Sequence, residues 1–276
     1  MTHHHLQTRY GPWAIITGAS SGIGREIAIK LAEAGLNLVL VARSQTTLGQ
    51  LAVELHNQHG IEAQVIAVDL AQESGIAKVE EQTRNLDCGL LVAAAGFGTS
   101  GRFLDANLDD EMTMLDVNCR ALMRLSLVFG RRFVERGSGG LILVSSIIGF
   151  HGIPNVAHYS ATKAYVQALA EALNVEFSPL GVDVLASAPG PTNSGFATRA
   201  DMQMGSAMDP ATVAQATLKA LGRKGTVLPG FLSKAIVYSQ SMLPRWARIR
   251  LMGQIMGTMT NHQQAHSVIR QNVKEG

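Results

Sequence analysis

At 276 residues, with 46% hydrophobic but only 5% aromatic and 16% charged positions, the chain suits one large α/β domain whose parallel sheet is buried under helices. A net charge of +2, with the charges read as scattered, excludes the concentrated basic footprint of a nucleic-acid binder. Two cysteines, Cys88 and Cys119, show no metal-ligand spacing and no disulfide framework, so both read as reduced thiols of a cytoplasmic protein with no metal site.

Residues 1–10, with the run His3, His4 and His5, read as a disordered terminus or a cloning remnant and lack the charged-then-apolar order of a signal peptide. No apolar run reaches the about 20 residues of a membrane span. From Trp13 the pattern alternates: apolar WAIIT, a glycine-rich turn, a helical stretch to Ala34 stopped by Gly35, then LNLVLVA. The cycle recurs with IEAQVIAVD, LLVAAAG, GLILVSS and VDVLASA as strands between segments of helical length. Strands alternating with helices predict a doubly wound parallel sheet.

Directly after the first strand comes TGASSGIG, where Gly18, Gly22 and Gly24 open a helix whose bare N–H groups and dipole can hold a pyrophosphate. A tight strand–helix turn is the plainer alternative, and the order strand, glycine turn, helix favours the phosphate reading. After the second strand, where an NAD enzyme places an acid for the ribose hydroxyls, the chain has Ala42 and Arg43. A guanidinium suits a phosphate, which favours NADP(H) over NAD(H). Asp69, ending the third strand, either bonds the adenine or serves as an ordinary turn residue. In YSATK, a helix places Tyr159 and Lys163 one turn apart on one face, where the ammonium lowers the phenol's pKa toward the range of a general acid, although the pair alone reads more plainly as a surface Tyr and Lys on an ordinary helix.

With TGASSGIG and YSATK on one chain in this order, the sequence resembles the short-chain dehydrogenase/reductase family over about residues 11–230. The resemblance implies a Rossmann-type fold with a central seven-stranded parallel sheet, a nicotinamide cofactor, and carbonyl–alcohol interconversion by a Ser-Tyr-Lys centre assisted by an Asn. The family's serine, thirteen residues before the tyrosine, corresponds to Ser146, with Ser145 the weaker candidate. The asparagine of the helix between the fourth and fifth strands corresponds to Asn118. The turn after the sixth strand corresponds to Pro189 and Gly190, with Thr192 and Ser194 for the carboxamide contact. The resemblance extends cofactor contacts to Ser20, Ser21, Ile23, Leu70, Ala95 and Gly96, and to Tyr159 and Lys163 themselves. One departure is AAAG, Ala93 to Gly96, where the family commonly has NNAG, which puts the rigidity of that loop in question. The family also implies a homodimer or homotetramer; Ala161, Ala164, Ala168 and Ala172 allow close helix packing, either inside the subunit or across such a contact.

Residues 231–276 differ in character and predict a helical extension packed on the same domain or an interface. Pro244 starts a helix in which Trp246, Ile249, Met252, Met256 and Met259 form an apolar stripe flanked by Arg245, Arg248 and Arg250. The stripe reads first as a lid or dimer contact, then as peripheral contact with a membrane, then as a partner site. Phe97, Phe103, Phe150 and Phe196 fall in loops where cleft walls form, which points to an apolar small-molecule carbonyl substrate, with core anchoring an equal alternative. His151 and His158 either line the cleft or sit on surface loops. A 3-oxoacyl thioester of CoA or carrier protein is the alternative substrate. A non-catalytic NADP(H)-binding sensor is the alternative function, disfavoured because a sensor has no use for a perturbed phenol.

Overall fold

The computed structural model describes residues 3–203, 205 and 207–274. After α1 (His3–Tyr10), strands and helices alternate: β1 (Trp13–Thr17), α2 (Gly22–Glu33), β2 (Asn37–Ala42), α3 (Gln45–His59), β3 (Ala63–Ala67), α4 (Glu73–Gln82) and β4 (Cys88–Ala93). The second half holds α5 (Leu108–Leu115), α6 (Leu122–Arg136), β5 (Gly139–Val144), α7 (Ala157–Phe177), β6 (Val182–Ser187), the short α8 (Phe196–Arg199), α9 (Pro210–Ala220) and β7 (Thr226–Val227). Two helices close the chain, α10 (Phe231–Ser241) and α11 (Arg245–Lys274).

All seven strands pair in parallel in the order β3-β2-β1-β4-β5-β6-β7, a Rossmann-type sheet. The pleat sends alternate side chains to opposite layers. Leu38 and Leu40 of β2 pack with Ile27 and Leu31 of α2 and Leu48 of α3, while Val39 and Val41 pack with Ile76, Val79 and Phe129 on the other side. Both faces are therefore apolar, which is why these strands read as unbroken apolar runs. The seventh strand, only two residues long, leaves almost no periodic signal.

Residues 3–10 depart from the expectation of disorder for 1–10, of which Met1 and Thr2 lie outside the described residues. Residues from His3 to Tyr10 form α1, with Leu6 and Tyr10 buried in the core. The Tyr10 hydroxyl donates to Asp183 Oδ2 at 2.7 Å, and Arg9 Nε donates to the same oxygen at 2.6 Å. A fully buried aromatic with its hydroxyl satisfied gives this helix the tertiary anchor its weak sequence pattern lacks.

A third apolar cluster caps the carboxyl ends of the strands. Phe97, Met114, Ile147, Ile148, Tyr159 and Met202 meet Met252 and Met256 of α11 there, with Ile236 of α10 packed alongside. The C-terminal helices thus lie over the sheet end where the strand order reverses between β1 and β4, the position at which doubly wound sheets bind ligands.

Candidate active site

A cleft of about 770 Å³ opens at that reversal, within the usual size of a small-molecule site. Its wall gathers every residue expected to touch a cofactor: Gly18, Ser20, Ser21, Gly22, Ile23 and Gly24 from the first turn, Arg43 after β2, and Asp69 and Leu70 after β3. Ala95 and Gly96 follow from the end of β4, Tyr159 and Lys163 from α7, and Pro189, Gly190, Thr192 and Ser194 from the loop after β6. The first turn is shaped for close approach. Gly18 has a φ of +70°, and a Cβ there would lie 2.9 Å from the backbone nitrogen of Ala95. A Cβ on Gly24 would collide with the Gly18 carbonyl, so α2 can begin on the cleft wall only because both positions are bare. Its free N-terminal N–H groups then face an anion site, and the residues fit a dinucleotide.

Asp69 serves the strand-end turn, its Oδ1 accepting from the N–H of Ala71, and it also lines the cleft. Arg43 is exposed and has no carboxylate partner among the described residues. Beside it, Ser44 caps α3 by accepting from the N–H of Thr47.

The AAAG segment is held by Thr17, the residue that opens TGASSGIG but has no role in the phosphate reading of that turn. Its hydroxyl, at the end of β1, accepts from the N–H groups of both Ala94 and Ala95 at 3.1 Å and donates to the Val92 carbonyl at 3.4 Å. Thr17 is 2% exposed, so this clamp is dry and rigid without a side chain from the loop itself. The one sequence signal for it is the position of Thr17, directly before the glycine turn.

Tyr159 and Lys163 stand on one face of α7 as their spacing requires, both buried, with the Lys163 ammonium 5.9 Å from the phenol ring centre. The electrostatics differ from expectation. Burial pushes the Tyr159 phenol above its ordinary value and a hydrogen bond with Ser146 only partly offsets this. Lys163 Nζ donates to the Val144 carbonyl at 2.8 Å, and burial lowers the amine from 10.5 to about 8. The expected lowering of the phenol by the ammonium is therefore absent with the cleft in this state. Burial is the largest cause of both shifts.

Ser146 begins the turn after β5, donating to the Pro189 carbonyl at 3.4 Å and capping Ile148 N–H. Ser145 is committed elsewhere, its hydroxyl donating to the Lys163 carbonyl at 2.9 Å. Asn118 does not line the cleft. It sits in a π-helical turn, Asp116–Ala121, between α5 and α6, where the extra residue per turn points its amide at the loop after β4. Its Oδ1 accepts from Phe97 N–H at 3.1 Å, and its Nδ2 donates to the Phe97 carbonyl at 2.9 Å and Thr162 Oγ1 at 3.1 Å. Asn118 and Lys163 flank Gly96: a Cβ there would lie 2.9 Å from Asn118 Oδ1 and 3.5 Å from Lys163 Nζ.

The opposite wall is apolar. Phe97, Val117, Ile148 and Met202 face Ile236 of α10 and Leu251, Met252, Ile255, Met256 and Met259 of α11. Of the four phenylalanines expected there, Phe97 and Phe196 line the cleft, and the Phe196 ring lies 5.0 Å from that of Tyr159. Phe150 packs in the cluster behind the wall, and Phe103 is 64% exposed away from it. Neither histidine faces the cleft. His151 is buried with Nε2 2.8 Å from Gln240 Oε1, and His158 Nδ1 lies 2.6 Å from Glu111 Oε2, itself bonded by Thr99. The α11 stripe is split: Met252 and Met256 are buried, Met259 lines the cleft and Trp246 is 62% exposed. Arg199, Ser239 and Gln240 line the cleft as well, although nothing in their local sequence marks them.

A family model described as short chain dehydrogenase matches residues 12–205. The chain is 29% identical over 259 residues to a 7beta-hydroxysteroid dehydrogenase of Clostridium sardiniense, covering 92% of this chain and 99% of that protein. It is 31% identical over 254 residues to a very-long-chain 3-oxoacyl-CoA reductase of Phaeosphaeria nodorum, covering 88% of this chain and 73% of that one. Among solved structures, one bearing on 7beta-hydroxysteroid dehydrogenase stereoselectivity superposes with a TM-score of 0.84 at 28% identity, covering 90% of this chain and 99% of that one. A short-chain dehydrogenase from Sphingobium yanoikuyae in complex with NADPH superposes with a TM-score of 0.78 at 32% identity, covering 88% and 95%.

Proposed function

The chain belongs to the short-chain dehydrogenase family, carbonyl–alcohol oxidoreductases that bind a nicotinamide cofactor, and from that premise we propose that it uses NADP(H) on a bulky apolar ketone or secondary alcohol. The observation that carries this reading is one cleft with two unlike halves, a polar glycine-rich cradle and an apolar wall from α10 and α11, with Tyr159 and Ser146 between them.

A nicotinamide held in this cradle would supply the hydride. In the reduction direction Tyr159 gives its proton to the carbonyl oxygen, a role suited to a phenol that burial keeps protonated. Ser146, beside the phenol, hydrogen-bonds the same oxygen and steadies the charge that develops on it. Lys163, as a cation, offsets the cost of leaving a phenolate in a dry site. Asn118 holds the Phe97 loop and, across Gly96, organises the water path by which Lys163 is reprotonated. Arg43, unpaired beside the capped start of α3, takes the 2′-phosphate, and the NADPH complex of a 32% identical relative supports this preference. Residues 11–230 act as the catalytic body with 231–276 as its lid, and the exposed Ala161, Ala168 and Ala172 of α7 supply the homodimer or homotetramer contact.

A 3-oxoacyl thioester is the second reading, favoured by the 31% identical relative. The test is cofactor oxidation by purified protein with ketosteroids, 3-oxoacyl thioesters of graded length and small water-soluble ketones. An NADPH-dependent rate that rises with apolar bulk and falls by about 10²–10⁴ in Tyr159→Phe is expected. Rate dependence on acyl length and carrier would select the thioester. Tight NADPH binding without turnover on any of them would mark a non-catalytic cofactor-binding protein.

A further inference from the structure

Charge is not scattered along this chain. Through Asp209 the sequence has fourteen Lys or Arg against twenty Asp or Glu, whereas between Asp209 and Glu275 it has nine Lys or Arg and no acid at all. The small net charge of +2 conceals this segregation. The basic segment includes the two lid helices, and their outer corner is also apolar: Phe231 is 86% exposed, Met242 88% and Trp246 62%. Lys234, Arg245 and Arg250 are exposed on the same helices, and none has a carboxylate partner among the described residues. Arg250 stacks its guanidinium 5.4 Å from the centre of the Trp246 ring.

We propose that this corner is a docking surface for the face of an anionic lipid bilayer. Large apolar side chains held in water beside unpaired cations are what an interfacial helix presents, with Trp at headgroup level and Lys or Arg toward the anionic groups. No helix among the described residues is long and apolar enough to cross a membrane, so the contact is peripheral. A second copy fits less well, because a two-fold contact would set like-charged, acid-free patches against each other. The same helix serves the cleft on another side: Leu251 and Ile255 are 40% and 45% exposed and both belong to the cleft wall. The surface stands on charge and exposure and does not depend on which carbonyl the cleft accepts.

The test is flotation of the full-length protein with phosphatidylcholine vesicles, with and without phosphatidylglycerol, at low and high salt. Expected are co-flotation with the anionic vesicles alone, release by salt, and a blue shift of fluorescence that disappears in Trp246→Phe. The combined Lys234→Glu, Arg245→Glu and Arg250→Glu variant should bind at least tenfold more weakly while keeping the wild-type thermal transition, since none of these residues lines the cleft. Failure of the folded wild type to float with anionic vesicles would overturn the proposal, as would undiminished flotation of the triple variant. A change of particle mass in the triple variant, with no vesicle binding by the wild type, would assign the corner to a second copy instead.

Discussion

Lys163 is pulled in two directions. Burial favours its neutral form, down to about 8, while its proposed task beside Tyr159 needs the cation. Below about pH 8 it is charged and above it is neutral, whereas the phenol, raised by burial, stays protonated throughout. We expect kcat/KM for NADPH-dependent reduction to fall as pH rises through about 8. Folding stability moves the other way: the unfolded amine, at its ordinary 10.5, binds protons over the window from 8 to 10.5 where the folded one does not, so stability rises with pH there. A fall in rate without loss of fold in that window identifies Lys163; a flat profile to pH 10 would remove its charge from the mechanism. Arg43 is tested by Arg43→Asp. Losing a charge-assisted bond worth about 1.5–3 kcal/mol should cut kcat/KM with NADPH roughly ten- to hundredfold and leave NADH equal or improved. An unchanged ratio would mean that another group reads the phosphate.

Among the elements, legibility follows the reach of the contacts. The first turn, the Tyr-Lys face of α7 and the turn after β6 are each contiguous in sequence and carry their chemistry on glycines, a phenol and an amine that few other roles require. The first turn and the Tyr-Lys pair are legible because they stand together on one chain, whereas the turn after β6 is legible only through the family resemblance. The π-helical turn at Asn118 is not, because its backbone register is set by packing against Thr162 of α7 and the Phe97 loop. The helix α1 escapes a sequence reading for the same reason: its anchor is Asp183, 173 positions away from Tyr10. That anchor makes α1 part of the fold. Tyr10→Ala should cost about 3–5 kcal/mol, the range for emptying a buried aromatic site. Urea unfolding would show it as a lower midpoint with unchanged slope, and a shift of less than about 1 kcal/mol would mean that the helix contributes little.

For the whole molecule, the packing of α10 and α11 on the sheet end sets the apolar wall of the cleft. Gly253 of α11 packs on the loop before α7, where an added Cβ would lie 2.9 Å from Pro154 Cγ. Gly253→Val should push α11 outward at a cost of about 1–3 kcal/mol and raise KM for a bulky apolar ketone by roughly fivefold or more. The Kd for NADPH and the rate on a small ketone should stay near wild type; a parallel loss of both would show general unfolding rather than an altered wall. The helix α10 is joined to the turn after β6 as well. Ser233 of α10, 1% exposed, accepts a 3.0 Å hydrogen bond from the backbone N–H of Gly190, in the turn after β6. Any free energy by which an occupied turn favours one position of α10 must appear, equal and in the same sense, as tighter cofactor binding once substrate holds α10 in that position. The two changes in affinity are in that case one coupling free energy measured from opposite ends, and Ser233→Ala severs the direct bond through which the sites communicate.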